Sequence, residues 1–249
     1  MKVLGLIPTR IGSTRLPAKP LLEINSMPLI IHTYRRAQLS KSLDDLYICC
    51  DDSRIAKVAK KFGAKYIMTS KNHQNGTERI TEGFLNLKNY SKYDLVLDIQ
   101  GDEPLISPLH IKKIIQFHQK NIKYDIILPT LKIKPAENTN IIKVVKNNKD
   151  EVMYLSRAKI PLEFKSSSNY FLKHLSIISF KPKSLIKFSE NKKTFLEKIE
   201  DIELLRALEL GLKIKTIKLV GDSFSVDVHQ DYLKAIKEFK KDKYVKLYK

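Results

Sequence analysis

The chain has 249 residues, long for one average domain and short for two, so a single large α/β domain with an appended lobe is expected. Its 43% hydrophobic, 8% aromatic and 29% charged content excludes a disordered chain, a collagen-like repeat and a coiled coil. No apolar run approaches the roughly 18 residues of a membrane span. The net charge of +19 raises nucleic acid or an anionic lipid as partners. Its make-up argues against both. There are 38 Lys and eight Arg, and the lysines are spread along the chain and thickest between Lys234 and Lys249, whereas a nucleic-acid face clusters Arg for bidentate contacts. A solvated basic surface is expected, with no nucleic-acid or membrane partner. The opening Met1 to Pro8 is too short for a secretory signal, so a cytoplasmic protein is expected.

Lys2 to Ile7 has the pattern of a buried strand, ended by Pro8. It leads into Thr9-Arg10-Ile11-Gly12-Ser13-Thr14-Arg15-Leu16-Pro17-Ala18-Lys19-Pro20, a loop that holds two of the eight arginines. Where lysine is the default cation, a retained arginine marks a place that needs its planar fork. Such a loop can offer backbone N–H groups and three positive charges to a polyphosphate, although its Gly and Lys spacing is not that of a P-loop. An ordinary surface loop would have the same composition.

Pro28 to Leu39 has helical apolar spacing, and Leu46 to Cys50 is a strand ending in Asp51-Asp52-Ser53. Its adjacent cysteines, Cys49 and Cys50, point to opposite strand faces and read as reduced core thiols, since no further cysteine completes a zinc site. Ser53 to Phe62 is a short helix stopped by Gly63, Tyr66 to Thr69 a strand, Thr77 to Leu87 a helix and Tyr93 to Ile99 a strand. Strands alternating with helices signal a largely parallel sheet with crossover helices, whose ligands bind beyond the carboxyl ends of the strands. The cationic loop, Asp51 and Gln100-Gly101-Asp102-Glu103-Pro104 all fall there. Asp102, directly after a buried strand, is a candidate to hold Mg²⁺ with waters and substrate phosphates; the alternative is that Asp102 and Glu103 cap the helix near Pro108. Cations at one strand end and a carboxylate at another are what nucleotidyl transfer requires.

Farther on, Arg157 follows the apolar stretch Val152 to Leu155, and His174 lies in the strand-like segment Tyr170 to Phe180. Glu200 and Glu203, three apart on a helix ending at Gly211, share one face. Asp227 sits between Val226 and Val228 after the turn Gly221-Asp222-Ser223 and needs a metal or cationic partner if buried. The tail Lys240 to Lys249 reads as a fraying helix end.

Ordered segments spanning nearly the whole chain resemble the sugar-activating cytidylyltransferases, and among them the 3-deoxy-manno-octulosonate (CMP-Kdo synthetase) family. They are Ile7-Pro8-Thr9-Arg10, Ser13-Thr14-Arg15-Leu16-Pro17, Lys19-Pro20-Leu21, Pro28-Leu29-Ile30, His73 to Arg79, Gln100 to Pro104, Ser156-Arg157-Ala158-Lys159-Ile160-Pro161, Lys173-His174-Leu175, Leu205 to Glu209 and Val226-Asp227. The resemblance implies a Rossmann-like nucleotidyltransferase fold, three-layer α/β/α with a largely parallel mixed sheet and a smaller lobe. It further implies a nucleotide-binding core at about 1–125 and 212–249, a sugar-binding and dimerisation lobe at about 126–211, and a homodimer. By the same resemblance Arg10 and Lys19 clamp the triphosphate of CTP, and Pro8, Ser13 and Arg15 belong to the same nucleotide site. Thr77, Arg79 and Gln100 lie around the cytosine and ribose, Asp102 and Asp227 hold Mg²⁺, and Arg157, His174 and Glu203 line the sugar pocket.

Read without the family, Arg79 and Arg157 are each open to a structural ion-pair role, and His174 to a satisfied core position. The chain also departs from the family pattern. Ser176-Ile177-Ile178-Ser179-Phe180 lacks the family's tyrosine, Leu204 replaces a glutamine and Val228 a threonine. The expected reaction is transfer of CMP from CTP to the anomeric hydroxyl of 3-deoxy-D-manno-octulosonate (Kdo) for lipopolysaccharide biosynthesis. The alternatives are another 3-deoxy-2-ulosonic acid, such as 8-amino-Kdo or a sialic-acid-like sugar, and a basic nucleic-acid-binding protein.

Overall fold

A computed structural model describes residues 1–135, 137–221 and 224–248. Asp222 and Ser223 of the expected turn, and Lys249 of the tail, lie outside the described residues. The chain forms β1 (Val3–Thr9), the short hairpin β2 (Glu23–Ile24) and β3 (Met27–Pro28), α1 (Leu29–Leu39), β4 (Asp45–Cys50), α2 (Ser53–Lys61), β5 (Tyr66–Met68), α3 (Gly76–Leu85), β6 (Leu95–Ile99) and α4 (Pro108–Lys120). It continues through β7 (Ile126–Ile133), β8 (Lys143–Lys146), β9 (Val152–Ser156), β10 (Phe171–His174), β11 (Ile177–Phe180), α5 (Pro182–Glu190), α6 (Phe195–Glu200), α7 (Glu203–Glu209), β12 (Ile214–Lys218) and α8 (His229–Phe239).

Two compact units result, one of residues 1–113 with 223–249 and one of residues 114–222. The second unit takes in β12, which pairs in parallel with β7, from Ile214 opposite Ile126 to Lys218 opposite Thr130.

In the first unit β1, β4, β5 and β6 pair with one another in parallel, in the order β5, β4, β1, β6. Parallel strands need crossovers and are covered on both faces, so they read as unbroken apolar runs; all seven residues of β1 are buried. The chain moves outward from β1 to β4 and β5, then returns to place β6 on the other flank of β1. Strand order therefore reverses at β1, which makes the carboxyl ends of β1 and β6 the topological switch point. Close packing of α3 depends on Gly83, where a Cβ would collide with the Sγ of Cys49. Cys49 and Cys50 are buried free thiols, as expected; burial, reinforced by Asp51, pushes Cys50 up to about 11.

The carboxyl-terminal tail is not a frayed helix end. Arg36, 2% exposed, pairs with Asp242 at 2.8 Å and donates to the carbonyls of Leu105 and Ile106. Val245 is buried, and the Tyr248 hydroxyl lies 3.0 Å from His32 Nδ1, whose ring donates through Nε2 to the Ile24 carbonyl. Aromatic and aliphatic residues placed among the lysines supply this anchor.

The second unit is mixed, with β10 and β11 antiparallel to β7, β8 antiparallel to β10, and β9 antiparallel to β8. Tyr170 to Phe180 is two strands, not one. Leu175 N–H donates to the carbonyl of Pro129 in β7, and Pro129 has no N–H to return, so the ladder breaks there. Glu200 and Glu203 do not share a helix either: Glu200 ends α6 and Glu203 opens α7, with Asp201 between them in the left-handed region at φ 51°. Arg206, 1% exposed, fastens the two helices by a bidentate pair with Glu197 at 2.6 and 2.7 Å and a bond to the Asn191 carbonyl.

Candidate active site

Several of the candidate residues gather at the switch point of the first unit. Beyond β1, the amide of Ile11 donates to Asp51 Oδ1 at 3.0 Å, which pins the start of the cationic loop to the end of β4. Arg79, only 3% exposed, holds the other carboxylate oxygen of Asp51 at 3.3 Å and also donates to Thr69 Oγ1 and the Ser70 carbonyl. Arg79 thus supports the loop through Asp51. Ser13 Oγ accepts from the Leu16 amide at 3.4 Å within the loop. Ala18 adopts φ 51°, which turns the chain into a single 3-10 turn at Lys19–Leu21 and aims the Lys19 side chain. Arg10 and Arg15 are exposed.

Lys19 is the centre of the arrangement. Its Nζ lies 2.8 Å from Asp102 Oδ2 and 3.1 Å from Asp227 Oδ1, and Arg15 lies 3.3 Å from the same Asp227 oxygen. Burial alone would depress the ammonium, but the charges and hydrogen bonds of Asp102 and Asp227 outweigh it and hold the Lys19 pKa above the ordinary lysine value. Residues more than two hundred positions apart meet because Val226 N–H donates to the Asp102 carbonyl at 2.9 Å. Asp231 accepts from the amides of Asp227 and Val228 at 3.0 and 3.1 Å, so a carboxylate in the first turn of α8 holds the chain that enters the helix. Gly101 is required by close approach: a Cβ there would lie 2.8 Å from the Pro8 carbonyl.

Pro8, Gln100 and the start of α3 form an adjoining wall. A Cβ on Gly76 would stand 3.1 Å from Gln100 Nε2 and 3.4 Å from a ring carbon of Pro8. Thr77 is 1% exposed, and Asn75 caps α3 by accepting from the Glu78 amide at 2.8 Å. Gln100 Nε2 donates to both oxygens of Asp98, at 2.9 and 2.8 Å, a contact that fixes the orientation of the amide. Sequence reasoning missed Asp98 and Asp231. The signal for Asp98 was present, an acidic residue inside the apolar run Leu95 to Ile99; Asp231 looks like any charged residue of a surface helix.

The sugar-side candidates lie in the second unit. Arg157 Nε donates to the Glu200 carbonyl at 2.8 Å, and its other nitrogens donate to the carbonyls of Asp201 and Thr139. Glu200 meets this segment: it accepts from Ser156 Oγ and from the Arg157 amide. Glu203 is half-buried at the start of α7. Among the described residues His174 Nε2 is one of three buried side-chain polar atoms with no hydrogen-bond partner. Burial first, then the positive charges of Lys173 and Arg157, push the His174 pKa down to about 4. Leu204, at the glutamine position, is 3% exposed and packs in the core.

A cytidylyltransferase family model matches residues 4–214. The chain belongs to the cytidylyltransferase family. It is 39% identical over 247 residues to the 3-deoxy-manno-octulosonate cytidylyltransferase of Fusobacterium nucleatum, covering 97% of this chain and 98% of the relative. It is 38% identical over 235 residues to the 8-amino-3,8-dideoxy-manno-octulosonate cytidylyltransferase of Shewanella pealeana, covering 93% and 96%. A solved structure of CMP:2-keto-3-deoxy-manno-octonic acid synthetase complexed with CTP superposes with a TM-score of 0.91 at 30% identity, over 97% of this chain and 99% of the other. A cytidylyltransferase of Leptospira borgpetersenii, at 19% identity and TM-score 0.63 over 99% of this cytidylyltransferase and 92% of that chain, shares the fold. The expected α/β nucleotidyltransferase fold is therefore present.

Proposed function

We propose that this cytidylyltransferase transfers CMP from CTP to the anomeric hydroxyl of Kdo and releases pyrophosphate, as a step of lipopolysaccharide biosynthesis. The observation that carries the reading is the convergence of Asp102 and Asp227 on one Lys19 nitrogen at the switch point of a parallel sheet. The extended likeness to relatives named for this sugar acid supports it.

In this reading Lys19, Arg10 and Arg15 bind the triphosphate, and Pro8, Ser13, Thr77 and Gln100 form the nucleotide wall, with Arg79 behind the loop. Two carboxylate oxygens within 3.1 Å of one cation are a donor set suited to a hard divalent ion that keeps its waters and takes phosphate oxygens. No group of three or more His, Cys, Asp or Glu that could hold a metal occurs among the described residues, so the set does not suit a closed structural metal centre. The group is Mg²⁺, held by Asp102 and Asp227; when bound it supplies neutralisation of the phosphates and of the departing pyrophosphate. The sugar hydroxyl oxygen forms the bond to the α-phosphorus, the bond from that phosphorus to the bridging oxygen breaks, and the hydroxyl proton passes to solvent. No side chain becomes covalently attached, so Arg10, Lys19 and Arg15 act by position and charge. Arg157, His174 and Glu203 contribute to recognition of the sugar acid.

We place the enzyme in the cytoplasm as a homodimer. No helix among the described residues is long and apolar enough to cross a membrane. Phe195 and Ile199, one turn apart on α6, and Met153 on β9 are 72%, 65% and 62% exposed, and they favour a dimer contact on the second unit. The deciding experiment is a pyrophosphate-release assay with Mg²⁺ and CTP, ATP, GTP or UTP, each with Kdo or 8-amino-Kdo. Release with CTP and Kdo is expected. Release with CTP and 8-amino-Kdo alone reassigns the sugar, and steeply salt-dependent binding to polyanions without release supports the basic binding protein instead.

A further inference from the structure

The acidic pair is not free to accept a metal ion as it stands. Lys19 Nζ bonds both carboxylates, and Arg15 adds a second cation at Asp227. Two negative and two positive groups make a neutral quartet. A divalent ion bound to either of these oxygens at roughly 2.0–2.1 Å would stand inside the position of the ammonium, so ion and ammonium compete for the pair. Entry of the ion alone would also leave two positive charges beside it without counter-charge. A polyphosphate changes both terms, because it offers the ammonium new acceptors and brings the missing negative charge.

The backbone is built for such a transfer. The base of Lys19 is held by the bonds from its own amide to the Leu16 carbonyl and from the Leu22 amide to its carbonyl, at 3.2 Å each. Asp102 and Asp227 are likewise held by the Val226 and Asp231 bonds. Only the four-carbon stem has to swing, and a lysine is a compact point charge that can change partners where a bidentate arginine would resist. The carboxylates are 28% and 38% exposed, so the ammonium competes with an incoming ion without sealing it out.

We propose that Lys19 is a resident counter-cation of the Asp102–Asp227 pair, and that its transfer to the phosphates of the bound nucleotide opens the pair to the divalent ion. Metal and nucleotide then bind cooperatively through one ammonium group. The proposal rests on the metal site of the preceding section. Since coupling is reciprocal, removing Lys19 raises metal affinity in the absence of nucleotide and reduces the gain that nucleotide confers.

The test is Mn²⁺ binding, followed by the electron paramagnetic resonance signal of the free ion, with and without CTP and without sugar. Lys19→Met is expected to bind Mn²⁺ about tenfold more tightly than the wild type without nucleotide. Lys19→Arg, which keeps the charge and resists a change of partners, should show no such tightening, and CTP should strengthen Mn²⁺ binding less in Lys19→Met than in the wild type. Lys19→Gln is the second neutral variant should Lys19→Met fold poorly. Neutral variants that bind Mn²⁺ no more tightly than the wild type overturn the proposal. Asp102→Asn separates the two failures. If it abolishes Mn²⁺ binding to the CTP complex, the metal site stands and only the role of Lys19 falls; if it changes nothing, the metal site falls and the proposal with it.

Discussion

Lys19, Arg15, Asp102 and Asp227 of the first unit satisfy one another side chain to side chain, whereas Arg157 in the second unit donates to backbone carbonyls. The difference separates groups that can exchange partners from groups that hold the chain in place. A phosphate can draw Lys19 away and leave the fold intact. Drawing Arg157 away would release the end of α6, so its guanidinium serves chiefly to hold this segment in place. His174, with its unpartnered Nε2, is the second-unit candidate with bonding capacity still to offer.

The largest expected effect breaks the structural side of this contrast. Arg206→Ala leaves Glu197 as an unpaired buried carboxylate and should cost about 3–5 kcal/mol of stability, read as a lowered urea midpoint. Next, Asp102→Ala should lower the rate of pyrophosphate release by about 10²–10³-fold while the melting temperature shifts by only a few degrees, because the residue is part-exposed and its partner can hydrate. An unchanged rate at saturating Mg²⁺ would remove Asp102 from the chemistry. His174→Ala should raise KM for the sugar acid about tenfold and leave KM for CTP unchanged. An equal rise in both would make His174 a packing residue.

The smallest effect is in pH dependence. Burial pushes both His118 and His174 down to about 4, in His118 against the opposing bond to the Tyr124 carbonyl at 3.2 Å. Between pH 6.5 and about 4 the unfolded chain binds these protons and the folded chain does not. Stability therefore rises with pH across that window and is level above it. In the first unit Asp45, despite the opposing effect of burial, is brought to about 2 by Tyr93, Lys65 and Lys92, and its contribution is lost only between about pH 4 and 2. Proton NMR should show the His174 ring titrating near pH 4; a midpoint near 6.5 would mean that the ring is solvated.

Much of the first unit was legible because its signals are local. Apolar runs, the glycine that stops α2 and the polar loop after β1 each act within a few residues, and they located β1, α1, β4, α2, β5, α3 and β6 to within about three residues. The second unit was less legible, because its breaks depend on distant partners. Nothing in Tyr170 to Phe180 reveals that Pro129 interrupts the ladder, and nothing around Glu200 reveals that Arg157 takes the carbonyls freed at Asp201. The tail was misread because its lysines hide the anchoring Asp242, Val245 and Tyr248.

The amino-acid sequence by itself determined the family, the parallel sheet and the residue types of the site, since motif spacing and strand patterning are properties of neighbouring residues. Only the tertiary structure decided that Lys19 stands between Asp102 and Asp227, that Arg79 works behind the loop through Asp51, and that Glu200 meets Arg157. Those are matters of three-dimensional distance between residues far apart in the chain, and hydrogen bonds and ion pairs act over distance in space, not along the sequence.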